Sequence, residues 1–212
     1  FNISPEDIER KITDKTKAII IVSLYGLPCE MDKIMSISKK YNIPVIEDNA
    51  QCFLSEYKGK LVGTFGDISS WSFENSKHIS CGEGGIITTN NEKYAEIARK
   101  VAGHGYKNLK ASTGQIKLNQ SVYQDPDYKR HSDIGWNYRL SEPSAAIALA
   151  QLENIEEKVK LRKEIASIFL DEVANCDYLI PQKVPEYSSN SYFTLGIKYE
   201  GLEEIGINWQ LH

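Results

Sequence analysis

AIIIVSLYGLPCEMDKIMSISKKYNIPVIED, residues 18–48, decides the fold class. Ala18 to Ser23 is an apolar run dominated by β-branched side chains, the pattern of a strand buried on both faces. From Glu30 to Tyr41 apolar residues at Met31, Ile34, Met35 and Ile37 follow a helical spacing. Ile43-Pro44-Val45-Ile46 is a second apolar run, and it ends in Glu47-Asp48. Strand, helix and strand within about 30 residues make a βαβ unit, and so a parallel sheet.

Upstream, Ser4-Pro5-Glu6-Asp7 is a helix start, with a capping hydroxyl, a proline at the first helical position and acids in the first turn. That helix is expected to run to about Ile12. Downstream, glycines at 59, 63 and 66 punctuate a turn-rich stretch. Ile68 to Phe73 is a third strand, Gly82-Glu83-Gly84-Gly85 a tight turn, Ile86 to Thr89 a fourth strand and Asn91 to Val101 a helix. Gly103 to Tyr138 is polar and reads as one long irregular loop with a turn at Asp125-Pro126-Asp127, a length usually tied to function or disorder. A single helix is expected from about Ser141 to Val173, and a strand of a second domain over Tyr192 to Tyr199.

The chain has 212 residues, 41% hydrophobic and 25% charged, which suits a globular domain of ordinary composition. A net charge of −4 with scattered lysines argues against a nucleic-acid surface. No apolar run approaches the length of a membrane span, and Phe-Asn-Ile-Ser-Pro is no signal peptide. Cys29, Cys52, Cys81 and Cys176 form no CxxC pair, so free thiols in a reducing cytoplasm are expected rather than zinc or disulfides.

Three segments carry chemistry. Val45-Ile46-Glu47-Asp48-Asn49-Ala50-Gln51 places two acids at the C-terminal end of a strand, where open α/β sheets bind ligands; a cap on the next element is the competing role for Asp48. Trp71-Ser72-Phe73-Glu74-Asn75-Ser76-Lys77-His78 leaves a strand with a lysine five residues after a serine. A half-buried lysine can act as a nucleophilic amine, whereas a surface lysine is merely solvated. The glycines at 82, 84 and 85 allow close backbone approach, but such turns are common between strands.

In this order the segments resemble the DegT/DnrJ/EryC1/StrS family of sugar aminotransferases dependent on pyridoxal 5'-phosphate (PLP). The resemblance runs from about Thr13 to about Arg162. It rests on Glu47-Asp48-x-Ala50-Gln51, Gly63-Thr64-Phe65-Gly66-Asp67, Ser72-Phe73-x-x-x-Lys77, Gly82-Glu83-Gly84-Gly85, His104-Gly105 and Asn137-Tyr138-Arg139-x-Ser141-Glu142. The implied fold is α/β. It has a type I aminotransferase-like large PLP-binding domain over 1–155, with a mixed, mostly parallel sheet. A linking helix and part of a small α+β domain follow over 156–212. The resemblance also implies that the N-terminal part of the large domain, with its phosphate-gripping turn and a stacking aromatic, lies outside this chain, and that the small domain is cut short after His212.

The resemblance implies a role for each matching residue. Lys77 would hold PLP as a Schiff base and move the proton between substrate carbon and cofactor. Asp48 would keep the ring nitrogen protonated, Ala50 would pack under the ring, Gln51 would bond the phenolic oxygen and Ser72 the phosphate. Asn137 would reach the phosphate of a neighbouring subunit in a homodimer with shared sites. The implied substrates are a nucleotide-linked keto sugar and an amino donor such as glutamate. For His104 a role in the site and a structural turn both stand. His78 could merely be packed, Glu83 a turn cap, Trp71 and Phe73 core residues and Arg139 a local ion-pair partner. Some relatives are sugar 3-dehydratases with His at the Schiff-base position; here the Ser72 register puts lysine there and His78 one place later, which favours transamination. A non-catalytic PLP-fold module for regulation or assembly is a further alternative. A dinucleotide oxidoreductase is disfavoured because no GxGxxG follows a strand.

Overall fold

The computed structural model describes residues 1–206; the expected second domain, 156–212, therefore runs past the described residues. Helix α1 (Pro5–Lys11) starts as its sequence dictates, with Ser4 Oγ accepting the Asp7 N–H at 3.2 Å. Strand β1 (Ile19–Val22) leads through a short 3-10 turn, Leu24–Gly26, into α2 (Met31–Tyr41). Asn42 closes α2 in the left-handed conformation, φ 53°. The Ser38 hydroxyl donates to the Ile43 carbonyl at 2.7 Å, and the chain reverses into β2 (Val45–Asp48).

Strands β1 and β2 pair in parallel, which makes the βαβ unit expected from residues 18–48. A hairpin, β3 (Glu56–Tyr57) and β4 (Lys60–Leu61), turns at Lys58 and Gly59, both with positive φ. Strand β5 (Ile68–Ser72) joins β2 in parallel and β6 (Gly85–Thr88) joins β5 antiparallel, giving the order β1-β2-β5-β6. The sheet is mixed because the chain between β5 and β6 folds back on its own start: Phe73 N–H donates to Gly84 O, and Cys81 N–H to Phe73 O.

The core lies on one face of this sheet. Ile19, Ile21 and Val45 pack against Ile8 of α1 and Met31, Ile34 and Ile37 of α2. The opposite face is open among the described residues: Ile20 is 61% and Ile87 57% exposed. The expectation that β1 is buried on both faces is thus corrected, since α1 and α2 both join the cluster on the face of Ile19 and Ile21.

Buried within the covered face is Glu47. One carboxylate oxygen accepts the Gly63 N–H at 2.7 Å, and the other accepts Phe65 N–H at 2.8 Å and Gly66 N–H at 2.6 Å. Asp67 closes the loop onto the start of β2 through the Val45 N–H at 2.9 Å. The glycines follow from this wrapping. A Cβ at Gly63 would sit 2.2 Å from the Trp71 ring, and one at Gly66 2.8 Å from the Val45 carbonyl. The Gly63-to-Asp67 motif therefore anchors a loop.

Helix α3 (Glu92–Ala102) is capped by Asn91, whose side chain accepts the Tyr94 N–H at 3.2 Å. The stretch from Gly103 to Tyr138 is more ordered than its polarity suggests. It contains a small hairpin, β7 (Leu109–Lys110) and β8 (Gly114–Gln115), and helix α4 (Gln120–Gln124). Its base is zipped: His104 N–H donates to Trp136 O, Trp136 N–H to Val101 O and Tyr138 N–H to Ala102 O. The expected single helix from Ser141 to Val173 is two, α5 (Glu142–Leu152) and α6 (Ile155–Val173). Asn154 breaks it, with non-helical φ −114° and ψ 16°; its side-chain amide turns back to the Ala150 carbonyl.

The last elements are β9 (Leu179–Pro181), β10 (Ile197–Tyr199), antiparallel to it, and α7 (Gly201–Ile205). The strand expected from Tyr192 begins only at Ile197, because Tyr192 has φ 48° and its neighbours bond elsewhere. Ser189, Ser191 and Phe193 donate their N–H groups to the carbonyls of Glu56, Gly26 and Tyr25. No helix among the described residues is long and apolar enough to cross a membrane.

Replacing Glu47 with Gln points an amide N–H₂ at backbone donors that have no other acceptor, a loss on the order of 2–3 kcal/mol. Urea denaturation of Glu47→Gln is expected to show that loss.

Candidate active site

Because β1, β2 and β5 are parallel, their C-terminal ends share one edge of the sheet. Val22, Asp48, Ser70 and Ile87 are in register across the strands. Side chains alternate along a strand, so Asp48, Ser70 and Ser72 share the open face, while Glu47, Ser69 and Trp71 take the covered one. The two acids at the end of β2 therefore separate, one into the core and one toward the open edge.

Asp48 is half-buried and one of its oxygens accepts the Ala50 N–H at 3.0 Å. Its other oxygen has no hydrogen-bond partner among the described residues. Ala50, two residues on, is itself half-buried. Gln51 Oε1 accepts the Tyr25 N–H at 3.0 Å, which aims the amide and leaves its N–H₂ as a donor. Ser72 ends β5, and its Oγ accepts the Glu74 N–H at 3.2 Å, so the hydroxyl proton is available to a ligand.

The chain then turns sharply. Lys77 N–H donates to Glu74 O at 3.1 Å. Ser76 donates its N–H and hydroxyl to the Glu74 carboxylate, and these bonds hold that carboxyl below the usual range. Lys77 is half-buried, with Nζ 4.8 Å from the centre of the Phe193 ring. No described carboxylate forms an ion pair with it. Phe193 N–H in turn donates to Tyr25 O at 3.0 Å. Lys77 and Gln51 are thus joined through Phe193 and Tyr25.

His78 is only 4% exposed and lies between the rings of Phe53, 5.5 Å away, and Phe193, 6.0 Å away. Its Nε2 is 3.2 Å from the Ser191 carbonyl. A carbonyl only accepts, so Nε2 carries the proton. Burial pushes the imidazole pKa down to about 4, and the ring is neutral at pH 7.

Asn137 stands apart from this cluster. It is exposed at the base of the Gly103–Tyr138 excursion, bridges Gly103 through its backbone and accepts the Arg139 Nε–H at 2.9 Å. Arg139 also donates to His104 Nε2 at 3.3 Å. His104 is held with φ 61°. Phe73 and Trp71 belong to the hydrophobic cluster with Ile79, Ala148, Ile155 and Val159. Tyr25 and Phe193 were missed by sequence reasoning. Tyr25 had a signal, a residue before glycine just past a strand end, and it takes φ 62°. Phe193 had none, being far along the chain from Lys77.

Lys77 thus lies on a turn leaving β5, at the edge of the sheet that also holds Asp48, Gln51 and Ser72. The model of the DegT/DnrJ/EryC1/StrS aminotransferase family matches residues 1–204, and the chain belongs to that family. It is 42% identical over 169 residues to a GDP-perosamine synthase of Escherichia coli O157:H7, covering 80% of this chain and 42% of that protein. Among solved structures, an aminotransferase from Psychrobacter cryohalolentis superposes with TM-score 0.78 at 32% identity, over 94% of this chain and 51% of that one. The E. coli GDP-4-keto-6-deoxy-D-mannose-3-dehydratase with bound hydrated PLP gives TM-score 0.78 at 29% identity, over 98% and 56%. The chain spans about half the length of the curated relatives it matches.

The unfolded His78 imidazole, near 6.5, binds a proton that the folded one refuses down to about pH 4. The stability tied to neutral His78 is complete above pH 6.5 and is lost as pH falls toward 4, a contribution of about 3 kcal/mol. Urea denaturation from pH 7 to 4.5 is expected to show a shallower fall for His78→Gln than for the native protein.

Proposed function

We propose that the chain carries the lysine side of a PLP site in an enzyme that moves an amino group from an amino acid to the ketone of a nucleotide-linked sugar. The reading rests on one observation: Lys77 leaves β5 at the sheet edge that also holds Asp48, Gln51 and Ser72. The donor set fits the cofactor. Asp48 has an unpartnered oxygen for a protonated ring nitrogen, Gln51 a free N–H₂ for a phenolic oxygen and Ser72 a free hydroxyl proton for a phosphate. Ala50 is small enough to leave the ring a flat seat.

PLP supplies an electron sink and a carrier for the amino group. Lys77 Nζ would be the nucleophilic amine that holds the cofactor and, when free, the base that would move a proton at the donor's α-carbon. Asp48 keeps the ring nitrogen protonated by its charge. Gln51 and Ser72 orient the ring from its oxygen and phosphate sides. Asn137, exposed at the base of its excursion, is assigned to the phosphate of a second subunit in a homodimer. Glutamate is the proposed donor. The division into a PLP-binding part, 1–155, and a second part from 156 onward is proposed on the same resemblance. Four unpaired cysteines fit a reducing cytoplasm.

The similarity to a dehydratase keeps that reaction as the second reading, and Lys77 at the Schiff-base position weighs against it. Incubation with PLP and reduction by borohydride separates the two. The expected result is a stable adduct mapped to Lys77 and absent from Lys77→Ala. PLP that washes off unreduced sinks the aminotransferase reading. With an adduct in hand, glutamate is expected to bleach the visible band of the unreduced protein, and a band indifferent to every amino donor overturns amino transfer.

A further inference from the structure

The stretch from Ser188 to Phe193 crosses the edge of the sheet as a strap. Ser189 exchanges bonds with Glu56: its N–H donates to the Glu56 carbonyl at 2.9 Å, and its Oγ accepts the Glu56 N–H at 2.8 Å. Ser191 and Phe193 then donate to Gly26 and Tyr25, each at 3.0 Å. Gly26 permits the crossing, since a Cβ there would lie 2.7 Å from Tyr192 N. At its end the strap sets Phe193 beside Lys77 Nζ, at 4.8 Å, and Arg162 holds the Phe193 carbonyl at 3.0 Å.

Among the described residues, His78 is the one side chain of the Lys77 turn with a hydrogen bond to this strap. It is buried, and its neutral ring donates from Nε2 to the Ser191 carbonyl. Nδ1 has no partner among the described residues, so the donor side of the ring alone accounts for its polar contacts there. A residue that only filled space between Phe53 and Phe193 would be apolar, because an unpaired buried nitrogen costs stability.

We propose that His78 is a positioning residue: it ties the Ser188–Phe193 strap to the Lys77 turn and thereby keeps the Phe193 ring against Lys77 Nζ, holding the amine in its attacking place. The role rests on Lys77 being the amine that captures the cofactor. His78 acts through Phe193 and itself touches no reacting atom. Phe193 screens one side of Nζ from small reagents and restricts the positions the flexible lysine side chain can take.

The test compares His78→Phe, which keeps the ring and loses the donor, with His78→Gln, whose amide reaches as far as Nε2, and His78→Asn, which falls short. Phe193→Leu removes the ring alone. Three readouts apply: amide hydrogen exchange over 189–193, limited acetylation of Lys77 by acetic anhydride normalised to exposed Lys160, and the rate of PLP capture at Lys77 trapped by borohydride. Loss of one hydrogen bond is expected to speed exchange of the strap about tenfold in the Phe and Asn variants. In these variants acetylation of Lys77 should rise at least threefold while PLP capture falls at least threefold, and Gln should restore all three. Phe193→Leu should reproduce the two lysine effects. General loosening would instead raise acetylation of every lysine. Unchanged exchange and acetylation in both deletion variants, or no rescue by Gln, overturns the proposal. If the native protein captures no PLP at Lys77, the proposed function fails, while exchange and acetylation still decide the role of His78.

Discussion

Strand β2 ends in adjacent carboxylates, and the pleat must send them to opposite faces. Glu47 goes into the core and accepts three backbone N–H groups from the loop at 63–66. That capture folds the loop around the end of β2, and Asp67 fastens it to Val45. With the covered face closed in this way, Asp48 is left on the open side with one oxygen bound and one available. A pair of acids that reads as one feature is thus a structural anchor beside a carboxylate on the open face.

The same alternation governs β5. Ser70 and Ser72 share the face of Asp48, while Trp71 turns inward over Gly63. Leaving the strand, the chain makes its tight turn and delivers Lys77 to the edge. The surroundings of that lysine come from elsewhere. Tyr25 follows β1, Gln51 follows β2 and Phe193 arrives on a strap from the distant C-terminal part. The strap is anchored by backbone hydrogen bonds from Ser189, Ser191 and Phe193 and by the side chains of Ser189, His78 and Arg162, so both the path of the chain and these side chains set the arrangement.

Much of the local structure was legible because its signals are local. The Ser4 cap, the helical spacing in α2, the apolar runs of β1 and β2 and the glycine turn before β6 each act within a few residues. Where the structure departs from expectation, a nonlocal or competing interaction prevailed. Among the described residues β1 is covered on one face only, because α1 and α2 both pack there. The helix from Ser141 breaks at Asn154, whose amide competes for a carbonyl of the preceding turn. The strand expected at Tyr192 gives way to the strap, since carbonyls of residues 25 and 26 take its N–H groups.

For the site, the sequence by itself determined which residues stand as candidates. Asp48, Ala50, Gln51, Ser72 and Lys77 stand at spacings that resemble one aminotransferase family, and those spacings place them at strand ends. Only the tertiary structure decided which face each side chain takes, because register across a sheet depends on its neighbours. It alone showed Glu47 as an anchor, Phe193 beside Lys77 and His78 buried and neutral. The physical reason is distance along the chain: Lys77 and Phe193 meet through hydrogen bonds to Gly26 and Tyr25, and no pattern within either segment encodes that meeting.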